Sequence, residues 1–264
     1  MTLLPYVPER RKISSPTNST IKSWRDQLKN KEFILIEGLH LIQRYHERYG
    51  APNILILPSS VSPQAEILEW INTTHLEDHV WQLSAAPLKQ LSSLANPAPI
   101  IGIVPAPGSP GELSCLNTFS SLWLDNIQDP GNVGTLLRTA LGAGIKHIVC
   151  GKGCTDVWSP KVLRSAQGAH FHLTLWENIY LPELAQTLPN LTKWGAAAHG
   201  TPYTQCSWPS VTALVLGNEG TGISPQLAPH LDQHIGIPLD PLLDSLNVAI
   251  AGAILLFHQQ SLKS

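Results

Sequence analysis

The chain has 264 residues, 43% of them hydrophobic and 14% charged, with a formal net charge of -2. This composition excludes a globally disordered chain and supplies enough apolar material for one large domain or two modest ones. It also withholds the overall positive charge that favours phosphate binding, so any contact with nucleic acid must rest on how basic residues are distributed.

Residues 1–7 carry no basic segment followed by a sustained apolar run, so no export signal is expected; four cysteines without a pairing or metal-ligand pattern make a cytoplasmic location the natural reading. Basic residues then gather at Arg10, Arg11, Lys12, Lys22, Arg25, Lys29 and Lys31, around Trp24. A solvated helix face would give the same pattern. The apolar run 33–36 predicts a buried strand, a helical pattern opens at Gly38, and residues 53–57 predict a second strand. A helix over 63–72, a strand over 79–83, a helix over 87–94 and a strand over 99–104 complete a small α/β unit. Residues 103–112 then contain three prolines and two glycines, a composition that neither a helix nor a central strand tolerates. The domain boundary is placed there, giving domains 1–106 and 113–264.

Downstream, strands are expected at 121–125, 147–150, 194–198 and 211–216, with a shorter one at 234–237. Their unbroken apolar character is that of parallel strands covered on both faces. Helices are expected from about Asn132 or Val133 through Ala143, and at 159–167, 181–188, 224–230 and 246–260. The apolar stretch 248–257 is about half the ~20 residues needed to span a membrane, and is read as a core helix. Cys115, Cys150, Cys154 and Cys206 form no C-x-x-C pair and no metal spacing with histidines, so reduced thiols and no metal site are expected. Cys150 and Cys154 are near enough in sequence to form a close pair.

Three loops at expected strand ends concentrate glycine, proline and polar side chains, where an open α/β sheet places its ligand. The first follows Asp125, with Pro130 and Gly131 turning the chain into a helix. Asn132 and Arg138 lie six residues apart, about 240° on an ideal helix, and share a face only if Asn132 precedes the helix. The second, from Leu216 to Ser224, is rich in glycine and contains Glu219. Its order G-x-x-G-x-G is neither a dinucleotide fingerprint nor a P-loop, which disfavours a nicotinamide-dependent oxidoreductase. The third, from Ile237, brings Ser245 and Asn247 to the start of the last helix, with Ser245 a natural N-cap.

In order, N-I-Q-D-P-G-N-V-G-T-L-L-R-T-A (126–140), L-G-N-E-G-T-G-I-S (216–224) and I-P-L-D-P-L-L-D-S-L-N-V-A-I-A (237–251) resemble motifs one, two and three of the SpoU (TrmH) methyltransferases. S-P-K-V-L-R-S-A-Q-G-A-H-F (159–171) is similar to the family's intervening helix. Residues 13–18, 21–22 and 33–39 are similar to the L30e-like substrate-binding domain that precedes the catalytic domain in many members. Ala249 departs from the family, where many members have a serine.

The resemblance implies a SPOUT fold, a parallel-sheet domain closed by a trefoil knot that holds S-adenosylmethionine. It implies that Gly217, Ile237 and Leu246 bind this donor, largely through backbone. It implies Arg138 as the principal catalytic residue, either as a base or, more easily for a guanidinium, by stabilising an alkoxide and gripping a phosphate. Asn132 would position Arg138 or the ribose, Glu219 would orient the arginine or the site, and Ser245 and Asn247 would order the donor-side loop. The implied activity is methyl transfer to a ribose 2'-hydroxyl, in ribosomal RNA rather than transfer RNA, by a homodimer joined through the C-terminal domain. RNA contact would use Arg138, Lys161, Arg164 and the N-terminal basic cluster. A transfer RNA target, or an RNA-binding member of the fold without turnover, is the alternative.

Overall fold

The computed structural model describes residues 7–92, 94, 96–108 and 110–262. The expectation about the first residues, the end of the 87–94 helix at Ser93, and Ser109 of the interdomain segment therefore lie outside the described residues. The chain divides into two compact units, Met1–Gly108 with Trp158–Arg164, and Ser109–Val157 with Ser165–Ser264.

The first unit is built on a five-stranded sheet of β1 (Lys12–Ile13), β2 (Phe33–Glu37), β3 (Ile54–Pro58), β4 (Val80–Leu83) and β5 (Ile101–Pro105), in the order β1-β4-β3-β5-β2. β1, β4 and β3 are parallel, and β5 runs against both β3 and β2. Helices α1 (Ser19–Lys29), α2 (Leu39–Tyr49) and α3 (Ala65–Thr73) each turn an apolar stripe inward: Ile21 and Trp24, then Leu41, Ile42 and Tyr45, then Ile67, Leu68 and Ile71. The Asn18 side chain starts α1 by accepting from the Thr20 amide at 2.8 Å.

The helix expected over 87–94 is instead the short α4 (Ala85–Leu88). Pro87 falls in its first turn, where the missing N–H costs nothing, so the helix starts two residues before the proline.

The second unit carries six strands: β6 (Ser121–Leu124), β7 (His147–Gly151), β8 (Thr174–Ile179), β9 (Thr192–Pro202), β10 (Thr212–Leu216) and β11 (Gln233–Gly236). Their order is β11-β9-β10-β6-β7-β8 and every pairing is parallel. Leu122, Trp123, Leu124, Leu214 and Val215 are fully buried, as a sheet covered on both faces requires. Its helices are α5 (Pro130–Gly142), α7 (Leu181–Thr187) and α8 (Val248–Ser261), while α6 (Pro160–Ala166) straddles the division between the units. Among the described residues no helix is long and apolar enough to cross a membrane.

Four differences from the expected pattern have local causes. β8 is an edge strand in which Glu177 and Asn178 interrupt the apolar run, so its pattern is weak. The helix expected over 224–230 is only a 3-10 turn at Ala228–His230, because Pro229 has no amide N–H to bond back to the Pro225 carbonyl and its ring crowds that carbonyl. α5 begins earlier than expected, since Asp129 caps it and Pro130 takes the first helical position. α8 begins later, and its N-cap is Asn247, not Ser245.

Candidate active site

A parallel sheet delivers the C-terminal ends of all its strands to one edge. The loops after β6, β10 and β11 meet at that edge, and side-chain amides join them. Asp129 Oδ1 accepts from the Asn132 amide at 2.7 Å, which sets the first turn of α5. Asn132 Nδ2 donates to Glu219 Oε1 at 2.9 Å, and Asn247 Nδ2 donates to Asn132 Oδ1 at 3.0 Å. Asn247 Oδ1 accepts from the amides of Ala249 (2.9 Å) and Ile250 (3.3 Å), capping α8.

The direction of this chain of bonds is fixed by chemistry. A carboxylate only accepts, so the NH2 of Asn132 faces Glu219; its oxygen must then receive the NH2 of Asn247, whose oxygen is left for the helix. Three loops far apart in sequence are thereby set in one register.

The loop after β10 is held as tightly from within. Asn218 Oδ1 accepts from the amides of Gly220 (2.9 Å) and Thr221 (3.1 Å), and the backbones of Asn218 and Gly222 exchange two 2.9 Å bonds. Gly222 has a φ of 71°, which a residue with a Cβ rarely adopts. At Gly217 a Cβ would overlap the Gly222 carbonyl group and the Ile223 nitrogen, so only glycine lets the chain double back. Asp125 anchors the far side, accepting the Ser224 amide at 2.7 Å.

Beside this loop lies a cavity of about 360 Å³, a size suited to a small ligand. Gly217, Glu219, Ile237, Ser245 and Leu246 all line it, with Ile235, Leu239, Val248 and Leu255 as further aliphatic wall. Glycine-rich backbone on one side and aliphatic side chains on the other suit a flat apolar group with polar edges, read by main-chain groups.

Arg138 does not join this cluster. Asn132 lies inside α5, not before it, so the two side chains diverge by about 240°. Arg138 is exposed, on the same helix face as exposed Thr135, and has no hydrogen-bond or ion-pair partner among the described residues. Of the sequence-predicted residues, Asn132, Glu219 and Asn247 come together, Gly217, Ile237, Ser245 and Leu246 share the cavity with Glu219, and Arg138 stands apart. Sequence reasoning missed Asp125, Asp129 and Asn218. Asp129 is readable as an aspartate before Pro-Gly at a helix start, whereas the pairings of Asp125 and Asn218 are long-range.

All four cysteines are free thiols. Burial pushes the Cys154 thiol up to about 11 and holds Cys150 well above the usual range, so neither supplies a thiolate at neutral pH. Cys154 instead donates to the Leu124 carbonyl at 3.2 Å and accepts from the Ile127 amide at 3.3 Å, fastening the loop after β6. Among the described residues no three His, Cys, Asp or Glu side chains could together hold a metal.

SpoU-type methyltransferases of known structure share this fold. One from Streptomyces viridochromogenes, AviRb, solved in complex with the cofactor AdoMet, superposes with a TM-score of 0.80 over 93% of this chain and 98% of its own, at 21% identity. A Porphyromonas gingivalis protein assigned to the TrmH family of RNA methyltransferases has 30% identity and a TM-score of 0.76, covering 93% of this chain and 97% of its own. In sequence, the Bacillus subtilis 23S rRNA (guanosine(2553)-2'-O)-methyltransferase RlmP is 30% identical over 94% of this chain and 98% of its own. Residues 120–257 match the model of the SpoU rRNA Methylase family, and the chain belongs to that family.

Proposed function

We propose that the protein is an S-adenosylmethionine-dependent methyltransferase that methylates a ribose 2'-hydroxyl of ribosomal RNA. The observation that carries this reading is the Asn247–Asn132–Glu219 chain, which locks three loops around one cavity. The activity of the Bacillus subtilis relative supports ribose as the target and ribosomal RNA as the substrate.

The donor, when bound, supplies a methyl group already activated by its sulfonium, so the protein's task is alignment. Gly217, Ile237 and Leu246 hold it through backbone and aliphatic contacts, and Ser245 orders the loop beside it. Asn132, Glu219 and Asn247 act as positioning residues, because their side chains bind one another. Arg138, exposed and unpaired among the described residues, is the group left to grip a phosphate and stabilise the developing 2'-alkoxide.

The first unit is read as an L30e-like RNA-binding domain. Lys22, Arg25 and Lys29 are exposed and lie on one face of α1, which gathers the positive charge that phosphate contact needs. The second unit is read as the SPOUT catalytic domain with its trefoil knot, on the strength of family membership. Ile250 (52% exposed) and Phe257 (49%), seven residues apart on α8, form an apolar stripe that supports a homodimer joined through this unit. The site of action is read as the cytoplasm.

The test is calorimetric titration with S-adenosylmethionine, then transfer of labelled methyl to ribosomal RNA from cells lacking the gene. Label recovered in 2'-O-methyl nucleosides is expected. Binding of a nicotinamide dinucleotide in place of the donor, or label in bases only, would overturn the reading.

A further inference from the structure

The same sheet edge carries a second cleft, beyond β6, β7 and β8, with part of the segment after β10 as one wall. It is lined by Asp125, Asn126, Lys152, Tyr180, Ser224 and Gln226. None of these side chains belongs to the Asn247–Asn132–Glu219 chain.

Its chemistry is lopsided. Its one carboxylate, Asp125, is only 7% exposed and is already engaged by the Ser224 amide at 2.7 Å. Lys152 is exposed and has no carboxylate partner among the described residues; its ammonium lies 5.3 Å from the centroid of the Tyr180 ring. Tyr180 is 47% exposed, although an aromatic ring of that size normally gains by burial. An exposed ring carrying an ammonium at cation–π distance presents an aromatic surface and a positive charge together, the combination that binds a base by stacking and its phosphate by charge.

The cleft also shares a wall with the first cavity. Asn218 Nδ2 donates to the Asn126 carbonyl at 2.9 Å, so these two residues stand between them, Asn218 lining the first cavity and Asn126 the cleft. Asn126 is held with a φ of 56°, in the left-handed region that asparagine tolerates better than most residues with a Cβ.

We propose that the cleft lined by Lys152 and Tyr180 is an RNA subsite for a nucleotide neighbouring the one that is methylated, the base stacking on Tyr180 and the phosphate meeting Lys152. The inference rests on the reading of the protein as an RNA methyltransferase. It adds that the RNA strand runs along the sheet edge, from the first cavity towards β8.

The test measures anisotropy of a fluorescein-labelled single-stranded RNA dodecamer over a range of salt concentrations, alongside donor binding and methyl transfer to unmethylated ribosomal RNA. Tyr180→Ala is expected to weaken RNA binding about tenfold, and Tyr180→Phe to stay within about twofold of wild type. Lys152→Gln is expected to lower the log–log salt slope by about one, which loss of a merely structural lysine would not do. KM for RNA should rise in Tyr180→Ala and Lys152→Gln, with donor affinity unchanged. Wild-type RNA affinity and salt slope in both variants, with transfer intact, would overturn the subsite and leave the methyltransferase reading standing. No transfer by the wild-type protein would overturn both.

Discussion

In the six-stranded sheet every strand runs the same way, so Asp125, Lys152, Gly217 and Ile237 all leave it at one edge; in the five-stranded sheet β5 runs against β3 and β2, and strand ends are shared between two edges. Long-range polar contacts occur around both sheets, as from Arg25 to Gln90 at 3.1 Å and from Ser84 to the Ser14 carbonyl at 3.0 Å in the first unit. Around the parallel sheet those from Asn132 to Glu219 and from Asn247 to Asn132 tie together the loops that line a cavity. Convergent strand ends let a few short side chains assemble a site, whereas a mixed sheet of similar size mainly builds a core and a surface.

The comparison can be broken most forcefully at Gly217. Gly217→Ala should lower the unfolding free energy by about 3 kcal/mol, because the added methyl meets backbone that cannot step aside. It should also abolish measurable donor binding in calorimetry. A variant that binds the donor like wild type would show that the doubled-back loop does not shape the cavity.

Acid should separate the two units next. His170 is fully buried, with Nε2 2.7 Å from the Val157 carbonyl, and burial lowers its pKa from 6.5 to about 4. The unfolded chain therefore binds the proton more tightly, so this contribution is complete above pH 6.5 and is lost as pH falls towards 4. The loss is roughly 3 kcal/mol by pH 4. Urea unfolding followed in the second unit should show that slope, and His170→Gln should flatten it. An unchanged slope in the variant would place the acid sensitivity elsewhere.

Asn132→Ala should then cut methyl transfer about a hundredfold, since three loops lose their common register. Stability should fall by only about 1 kcal/mol, the net worth of an ordinary hydrogen bond. The matching cut in the first unit, Arg44→Ala, removes an exposed i,i+3 pair and should change stability by at most about 0.5 kcal/mol with no effect on transfer. A larger effect at Arg44 than at Asn132 would reverse the comparison.

Much of the second unit is legible in its amino-acid sequence. Long apolar strands such as 211–216 and the glycine-rich turn after them are local signals, and the ordered loops resemble one family. β8 is not legible, because an edge strand with Glu177 and Asn178 lacks the apolar run of its neighbours. Helix starts differ from expectation by a turn or less where capping decides them: Asp129 and Asn247 compete with Asn132 and Ser245, and the winner depends on which side chain reaches a free amide. The Asn247–Asn132–Glu219 chain is beyond the reach of sequence, since 87 residues separate Asn132 from Glu219 and 115 separate Asn132 from Asn247. Residue types nominate its members, but only the fold brings them into contact and leaves Arg138 outside.

The most direct measurement is alkaline hydrolysis of unmethylated ribosomal RNA after reaction with S-adenosylmethionine and either wild-type protein or Arg138→Ala, since a 2'-O-methyl protects its own phosphodiester bond. Protection at one bond with wild type, falling by about a hundredfold or more with Arg138→Ala while donor affinity is unchanged, is the predicted result. Equal protection with both proteins would contradict the role of Arg138, and no protected bond with either would contradict ribose methylation itself.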